Sequence, residues 1–284
     1  MRLTPRNVFW LLRRSLYSTL DDNCLGYAKA AAYSALLSFF PVLASVATIL
    51  LETRAGFFSN MLERSLSEIV PPGTEDLVLQ QFRVSGSRPV MVLIVAAVVS
   101  IFAASGVIKS LVEGFHAAYH TPRNRSILHG SVVAMGLVVI SILPLIAASF
   151  LIFFGRQIEN AVMGWLQVDP ELNPYAWIWV LLSRIAQDMV AFGTTVVLTA
   201  TLYFFGPYRQ QRWKYIWPGA ILATILWLAA TSGFAWYVLH IGHYNVMYGS
   251  VSASIALLVW MYLLAIICLI GCEFNAEYER ASMR

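Results

Sequence analysis

Residues 248–277 read YGSVSASIALLVWMYLLAIICLIGCEFNAE. No Asp, Glu, Lys or Arg occurs from Tyr248 to Cys272, and Glu273 follows directly. A bilayer core about 30 Å thick needs about 20 apolar residues in one helix. This stretch is long enough, and it lacks the polar stripe that a half-wet helix shows. It predicts a membrane-spanning helix. The small, polar opening at Tyr248, Gly249 and Ser250 suits close backbone approach or local unwinding, and Gly271 offers the same near the other end. Glu273 and Asn275 then stand at the membrane edge. Carboxylates at a helix C-terminus oppose the macrodipole, so basic partners are expected from the N-terminal segment or from the Arg209–Lys214 loop.

The composition extends this reading to the whole chain of 284 residues. Hydrophobic residues make up 59% and charged residues 12%, against about 25% charge in a soluble domain. The mean hydropathy is +0.69. A soluble enzyme, a disordered chain and a fibrous repeat are all excluded. The formal charge of +4 is too small to argue for nucleic acid. Cys24, Cys268 and Cys272 do not make a disulfide framework. Cys268 and Cys272 share a helix face and read as small buried thiols. The short apolar run Val8–Leu12 is no cleavable leader, so the first true span should act as an uncleaved insertion signal.

Five other segments pass the same length test: 30–51, 89–108, 130–154, 177–205 and 216–241. The expected fold is therefore all-α, a polytopic membrane protein with six transmembrane helices. Sorting Lys and Arg by loop puts thirteen on the side of the termini and five on the other. Basic loops stay cytoplasmic, which places both termini there and agrees with an even number of spans. The chain reads as one membrane domain. Residues 1–28 form an interfacial helix, 30–272 the bundle, 52–88 an extracytoplasmic loop and 273–284 a cytoplasmic tail. In the first of these, Thr4 suits the N-cap and Pro5 the first helical position. Phe9, Leu12, Leu16 and Leu20 form an apolar stripe beside Arg6, Arg13 and Arg14, the pattern of a helix lying in the inner leaflet. The 52–88 loop has amphipathic spacing and predicts short helices.

Residues that could carry chemistry are few. Tyr33, Ser38 and Pro41 lie in the first span, where Pro41 removes a helix hydrogen bond and frees a carbonyl near Leu37 for Ser38 or a neighbouring helix. Pro144 does the same in the third. Arg184 and Asp188 stand i, i+4 near the start of the fourth. If that span begins near Trp177, Arg184 lies about 10 Å deep; if it begins near Ile185, the side chain snorkels to the headgroups. Lys109 and Glu113 repeat the i, i+4 pattern, and Lys29 and Glu273 bracket the first and last spans. Convergence of these four would make a polar cytoplasmic vestibule. Glu113, His116 and His120 share one helix face, but they lack the paired-histidine spacing of zinc hydrolases. No metal and no cofactor is expected. No Walker loop, dinucleotide fingerprint or nucleophile elbow is present, so the chain does not read as an enzyme.

The stretch Ala-Ala-Tyr-Ser-Ala-Leu-Leu-Ser-Phe-Phe-Pro at 31–41, the Tyr248-Gly249-Ser250 opening, Trp260 with Tyr262, and Leu269–Glu277 together resemble the YihY/BrkB family of bacterial inner-membrane proteins. The family usually has Ala where Cys272 stands. The resemblance covers the chain end to end and implies six spans with a long first outer loop. It also implies a role described variously as virulence or serum resistance, or as transport of lipids or solutes. A ribonuclease name attached to relatives finds no cluster for phosphodiester hydrolysis in these residues.

The expected function is a transporter or lipid flippase for an anionic or amphipathic substrate. Its pathway would use Arg184, Asp188, Lys109, Glu113, Lys29, Glu273 and Asn275, with Arg184 holding an anionic group and Asp188 orienting it or taking a proton. The alternative is an envelope scaffold or assembly factor that engages a partner protein through 52–88. A third reading, a lipid-headgroup enzyme, lacks a nucleophile. Membrane lipids are the implied partners, nucleic acid is not one, and a homo-oligomer remains open. No internal repeat marks an inverted design.

Overall fold

A computed structural model describes residues 5–52, 90–121, 130–142, 176–209, 211–240 and 252–283. These residues are helical apart from short turns at 22–23, 119–121, 206–209 and 211–212, with no strand among them. In chain order the helices are α1 (Pro5–Asp21), α2 (Cys24–Glu52), α3 (Val90–Ala118), α4 (Gly130–Ile142), α5 (Ala176–Phe205), α6 (Trp213–His240) and α7 (Ser252–Met283). Among the described residues α3, α5, α6 and α7 are long and apolar enough to cross a membrane. α2 has 29 residues. α4 begins the third expected span, whose remainder lies outside the described residues together with Pro144.

The outer surfaces of these helices suit lipid. Met91, Ile94, Val98 and Phe102 on α3, Leu182 and Met189 on α5, and Ile225 and Leu228 on α6 are exposed. Such a surface would be a severe aggregation hazard in water. Polar side chains on α5 quench themselves. Thr194, Thr195, Thr199 and Thr201 each donate to the carbonyl four residues back, at 2.8–2.9 Å. Hydroxyls satisfied within their own helix need no water.

The core gathers at one end of the bundle, where α1 packs. Ala28 and Ala31 of α2, Phe115 and Ala118 of α3, Ala200 and Tyr203 of α5, Ala220 and Ala223 of α6, and Leu269, Cys272 and Ala276 of α7 are all buried in one cluster. The small residues let backbones approach closely. The tightest crossing joins α6 and α7 at Gly219 and Gly271. A Cβ on Gly219 would run into the carbonyl oxygen of Gly271, and one on Gly271 into the Tyr203 hydroxyl. That hydroxyl donates to the Cys268 carbonyl at 2.6 Å.

Three details bear on the expectations. α2 continues through Pro41. Ser38 donates to the Ala35 carbonyl at 2.9 Å, and it is Ser100 of α3 that reaches across, to the Pro41 carbonyl at 2.9 Å. α1 turns its apolar stripe away from the protein. Phe9 is 72% exposed, and Leu16 and Leu20 also stand uncovered, while Leu11, Ser15 and Thr19 face the bundle. Ser15 and Thr19 can be buried because each donates back to its own helix. Thr4 lies outside the described residues. The segment expected as a tail, 273–283, is the end of α7 and among the most buried parts of the molecule. Hydropathy stops at Glu273, but the helix goes on because its charges find partners inside the protein.

Candidate functional site

The last turns of α7 carry Glu273, Asn275, Glu277 and Glu279, all buried. Burying a charge is expensive unless it is paired and hydrogen-bonded. Glu277 receives Arg14 Nε from α1 at 2.5 Å and Arg280 Nη1 from its own helix at 2.6 Å, and Ser18 donates to it at 3.3 Å. Arg280 also donates to the Ala118 carbonyl at the end of α3, at 2.5 Å. Glu279 pairs with Arg209 at 2.8 Å, whose guanidinium lies 4.9 Å from the centre of the Tyr119 ring. These pairs come from the two expected sources, the N-terminal helix and the segment after α5. They act one to two turns beyond the residue that prompted the expectation.

Asn275 has a different task. Its Oδ1 accepts the Gly219 N–H at 2.7 Å, next to Pro218, which has no N–H to give. One side chain thus ties α7 to the start of α6 beside the glycine crossing. Its Nδ2 has no hydrogen-bond partner.

Glu273 has no cation against it among the described ion pairs. Its Oε1 accepts the Cys24 thiol at 3.5 Å, and its Oε2 meets no donor. Burial, with Glu273 alongside, pushes the Cys24 thiol up, so it stays protonated and donates. The carboxyl group of Asp22 is a further neighbour of Glu273, and Arg280 acts on it as well.

Asp22 belongs to the α1–α2 turn and lines a cavity of about 390 Å³. Asp21 and Asn23 from the turn, Tyr27 from α2, and Glu113, His116, His120 and Thr121 from the end of α3 complete the wall. Asn23 and His120 are the two non-glycine residues with positive φ among the described residues, at 54° and 51°. His120 ends α3 in a left-handed cap. The His120 N–H bonds the Ala117 carbonyl at 2.9 Å and the Thr121 N–H the His116 carbonyl at 3.0 Å, the Schellman arrangement. Two helix C-termini, those of α1 and α3, therefore open on the same space as three carboxylates. Both contributions are negative, so the cavity attracts cations. His120 Nδ1 lies 3.6 Å from Asp22 and 2.9 Å from the Ala117 carbonyl. His116 Nδ1 lies 2.8 Å from Thr121 Oγ1. Among the described residues no three His, Cys, Asp or Glu side chains are placed to hold a metal ion.

Of the residues singled out from sequence, Glu113 lines the cavity and Glu273 lies behind its wall. Lys109 is half-buried one turn before Glu113, and Lys29 is exposed. Tyr33 is exposed on α2, Ser38 is buried there, and Gly271 makes the α6–α7 crossing. Arg184 and Asp188 are both exposed on α5, with Gln187 half-buried between them. Tyr248, Gly249 and Ser250, with most of the 52–88 loop, lie outside the described residues. Asp21, Asp22, Glu279 and Arg280 were not singled out, whereas Arg14 and Arg209 lie in the two segments from which basic partners were expected. The signal for the turn was present as three consecutive polar residues, Asp21-Asp22-Asn23, between two apolar helices.

A model of the virulence factor BrkB family matches residues 15–284. The chain is 23% identical over 269 residues to a ribonuclease-like protein, YfkH, of Bacillus subtilis, covering 88% of this chain and 89% of that one. It is 24% identical over 249 residues to a UPF0761 membrane protein of Tolumonas auensis, covering 86% and 77%. It is 27% identical over 271 residues to a UPF0761 membrane protein of Alteromonas mediterranea, covering 92% and 85%. No solved structure matches.

Proposed function

This chain belongs to the virulence factor BrkB family, and from that premise we propose that it is a six-span inner-membrane transporter or lipid flippase for an amphipathic substrate. α2 and the segment opening with α4 supply the two spans beyond the four that are long and apolar enough among the described residues. The 29 residues of α2 extend about 43 Å, enough to cross the core. Both termini face the cytoplasm, as the basic loops require. α1 lies in the inner leaflet with Phe9, Leu16 and Leu20 among the acyl chains.

The observation that carries the reading is the cavity of about 390 Å³ between the α1–α2 turn and the end of α3, lined by Asp21, Asp22, Glu113, His116 and His120 among others. Its volume falls within the range of small-ligand sites. Its charge changes the expected substrate. An anion is repelled by three carboxylates and two helix C-termini, whereas an ammonium group on an amphipathic molecule is attracted. Arg184 is exposed on α5 and is not among the residues that line this cavity.

Reconstitution in liposomes tests this. Labelled lipids with ethanolamine or choline headgroups should move faster than one with a glycerol headgroup. Asp22→Asn and Glu113→Gln should each slow that movement about tenfold, the weight of one charge-assisted contact. Equal rates for all headgroups and all variants would overturn the proposal.

The exposure of Arg184 and Asp188 favours a second reading, an envelope scaffold without transport. In that case a deletion within 53–88 abolishes partner capture while Asp22→Asn and Glu113→Gln remain functional.

A further inference from the structure

The transport reading does not use Glu273, although its position is the most demanding of any ionisable group described. The side chain is fully buried. One oxygen receives only a thiol at 3.5 Å and the other receives no donor. Within hydrogen-bonding reach stands the carboxyl group of Asp22. Two carboxylates have only acceptors to offer each other. The contact becomes a hydrogen bond when one of them carries a proton, and two ionised groups there would repel in a poorly hydrated site.

The other groups around Glu273 do not supply a full counter-charge. Cys24 from α2, Tyr119 from the end of α3 and Cys272 from α7 are neutral when protonated. Among the described residues Arg280 is a cation that acts on Glu273, and its guanidinium is already committed to Glu277 and the Ala118 carbonyl. Asp22 has a further neighbour in His120 at 3.6 Å, and both line the cavity. Glu273 therefore communicates with the aqueous side through Asp22.

We propose that Asp22 and Glu273 form a proton-binding site on the wall of the cavity, holding one proton between two carboxyl groups and exchanging it with the cavity through Asp22 and His120. Loading takes the pair from two negative charges to one. A proton leaves water in the cavity, forms an O–H bond on a carboxylate oxygen and is accepted in a hydrogen bond by the other carboxylate. Unloading reverses this, and the second charge then repels the first inside the core cluster. The occupancy of the site is thus coupled to the packing of the α1–α2 turn against α7. This inference stands whether or not the chain moves a lipid.

The test is infrared difference spectroscopy of the full-length protein in lipid nanodiscs, stepped through the neutral pH range in light and heavy water. The wild type should show a protonated-carboxyl stretch that disappears as pH rises. Glu273→Gln, which keeps the shape of the protonated acid, should remove that band. Asp22→Asn removes the neighbouring negative charge and should lower the midpoint by about one pH unit or more. Asp188→Asn, a carboxylate exposed on α5 and outside the cavity, should leave the band and its midpoint unchanged. Absence of a titrating carboxyl band in the wild type, its persistence in Glu273→Gln, or an unmoved midpoint in Asp22→Asn would each overturn the proposal. Should Glu273→Gln fail to fold, the Asp22→Asn midpoint decides alone.

Discussion

At the α1 end of the bundle, α7 is buried without interruption from Gly271 to Glu277. Its carboxylates are held by residues from α1 and from the segment after α5. In the first turns of α3 and α5, by contrast, Met91, Ile94, Val95, Leu181, Leu182 and Ile185 are exposed. Lipid covers such surfaces at little cost, and little specificity comes with them. Stability and uniqueness are therefore concentrated where polar groups must be matched. The midsections of the helices tolerate change provided it remains apolar.

The sharpest way to break this contrast is at the glycine crossing. Gly271→Leu puts a side chain where the Tyr203 hydroxyl and the Gly219 carbonyl already stand. Neither α6 nor α7 can retreat without opening the core cluster. The variant should yield almost no monodisperse protein after detergent extraction. Ile225→Leu, on the lipid-facing side of α6, should extract like the wild type.

Next in size is Glu277→Ala. It leaves Arg14 and Arg280 facing each other across a vacated site. Removing one partner of a buried ion pair costs about 3–5 kcal/mol, and the lower figure applies because both arginines keep some access to water. The melting temperature in detergent should fall clearly. Adding Arg14→Ala to Glu277→Ala should cost much less than Arg14→Ala alone, since the two residues form one unit. Simple additivity would mean that α1 is not held through this pair.

Asn275→Ala is a smaller perturbation of the same region. It leaves the Gly219 N–H buried without its acceptor, a loss of about 1–3 kcal/mol. Asn275→Asp retains the acceptor but adds a charge in a fully buried position, and should be worse than alanine. The reverse order would indicate that the acceptor for the Gly219 N–H outweighs the cost of the added charge.

The sequence disclosed the lipid-facing parts of the molecule better than the protein-facing ones, for a physical reason. An apolar run is a local property. The helix ends were less legible. α3 continues from 108 to Ala118 and α7 from 272 to Met283, because charges beyond the apolar run are satisfied by distant residues. Arg14 is local to nothing near Glu277, and no periodicity announces that they meet. The cavity was illegible for the same reason. It exists only because the Asp21–Asn23 turn lies beside the end of α3, far away in sequence. Glu273 was singled out by its opposition to the helix dipole. That was a sound reason to look there, although the basic partners it suggested belong to Glu277 and Glu279.

The smallest expected effect tests the exposed region directly. Arg184 and Asp188 were the leading pathway candidates from sequence, yet both are exposed on α5. Exposed charges one turn apart interact by a few tenths of a kcal/mol at most. Arg184→Ala and Asp188→Asn should therefore leave the melting temperature unchanged within about 0.5 kcal/mol of stability, and lipid movement at the wild-type rate. Loss of movement without loss of stability would be the informative exception. It would mean that the exposed face of α5 meets the passenger itself, and that the route runs along the outside of the bundle toward the acidic cavity.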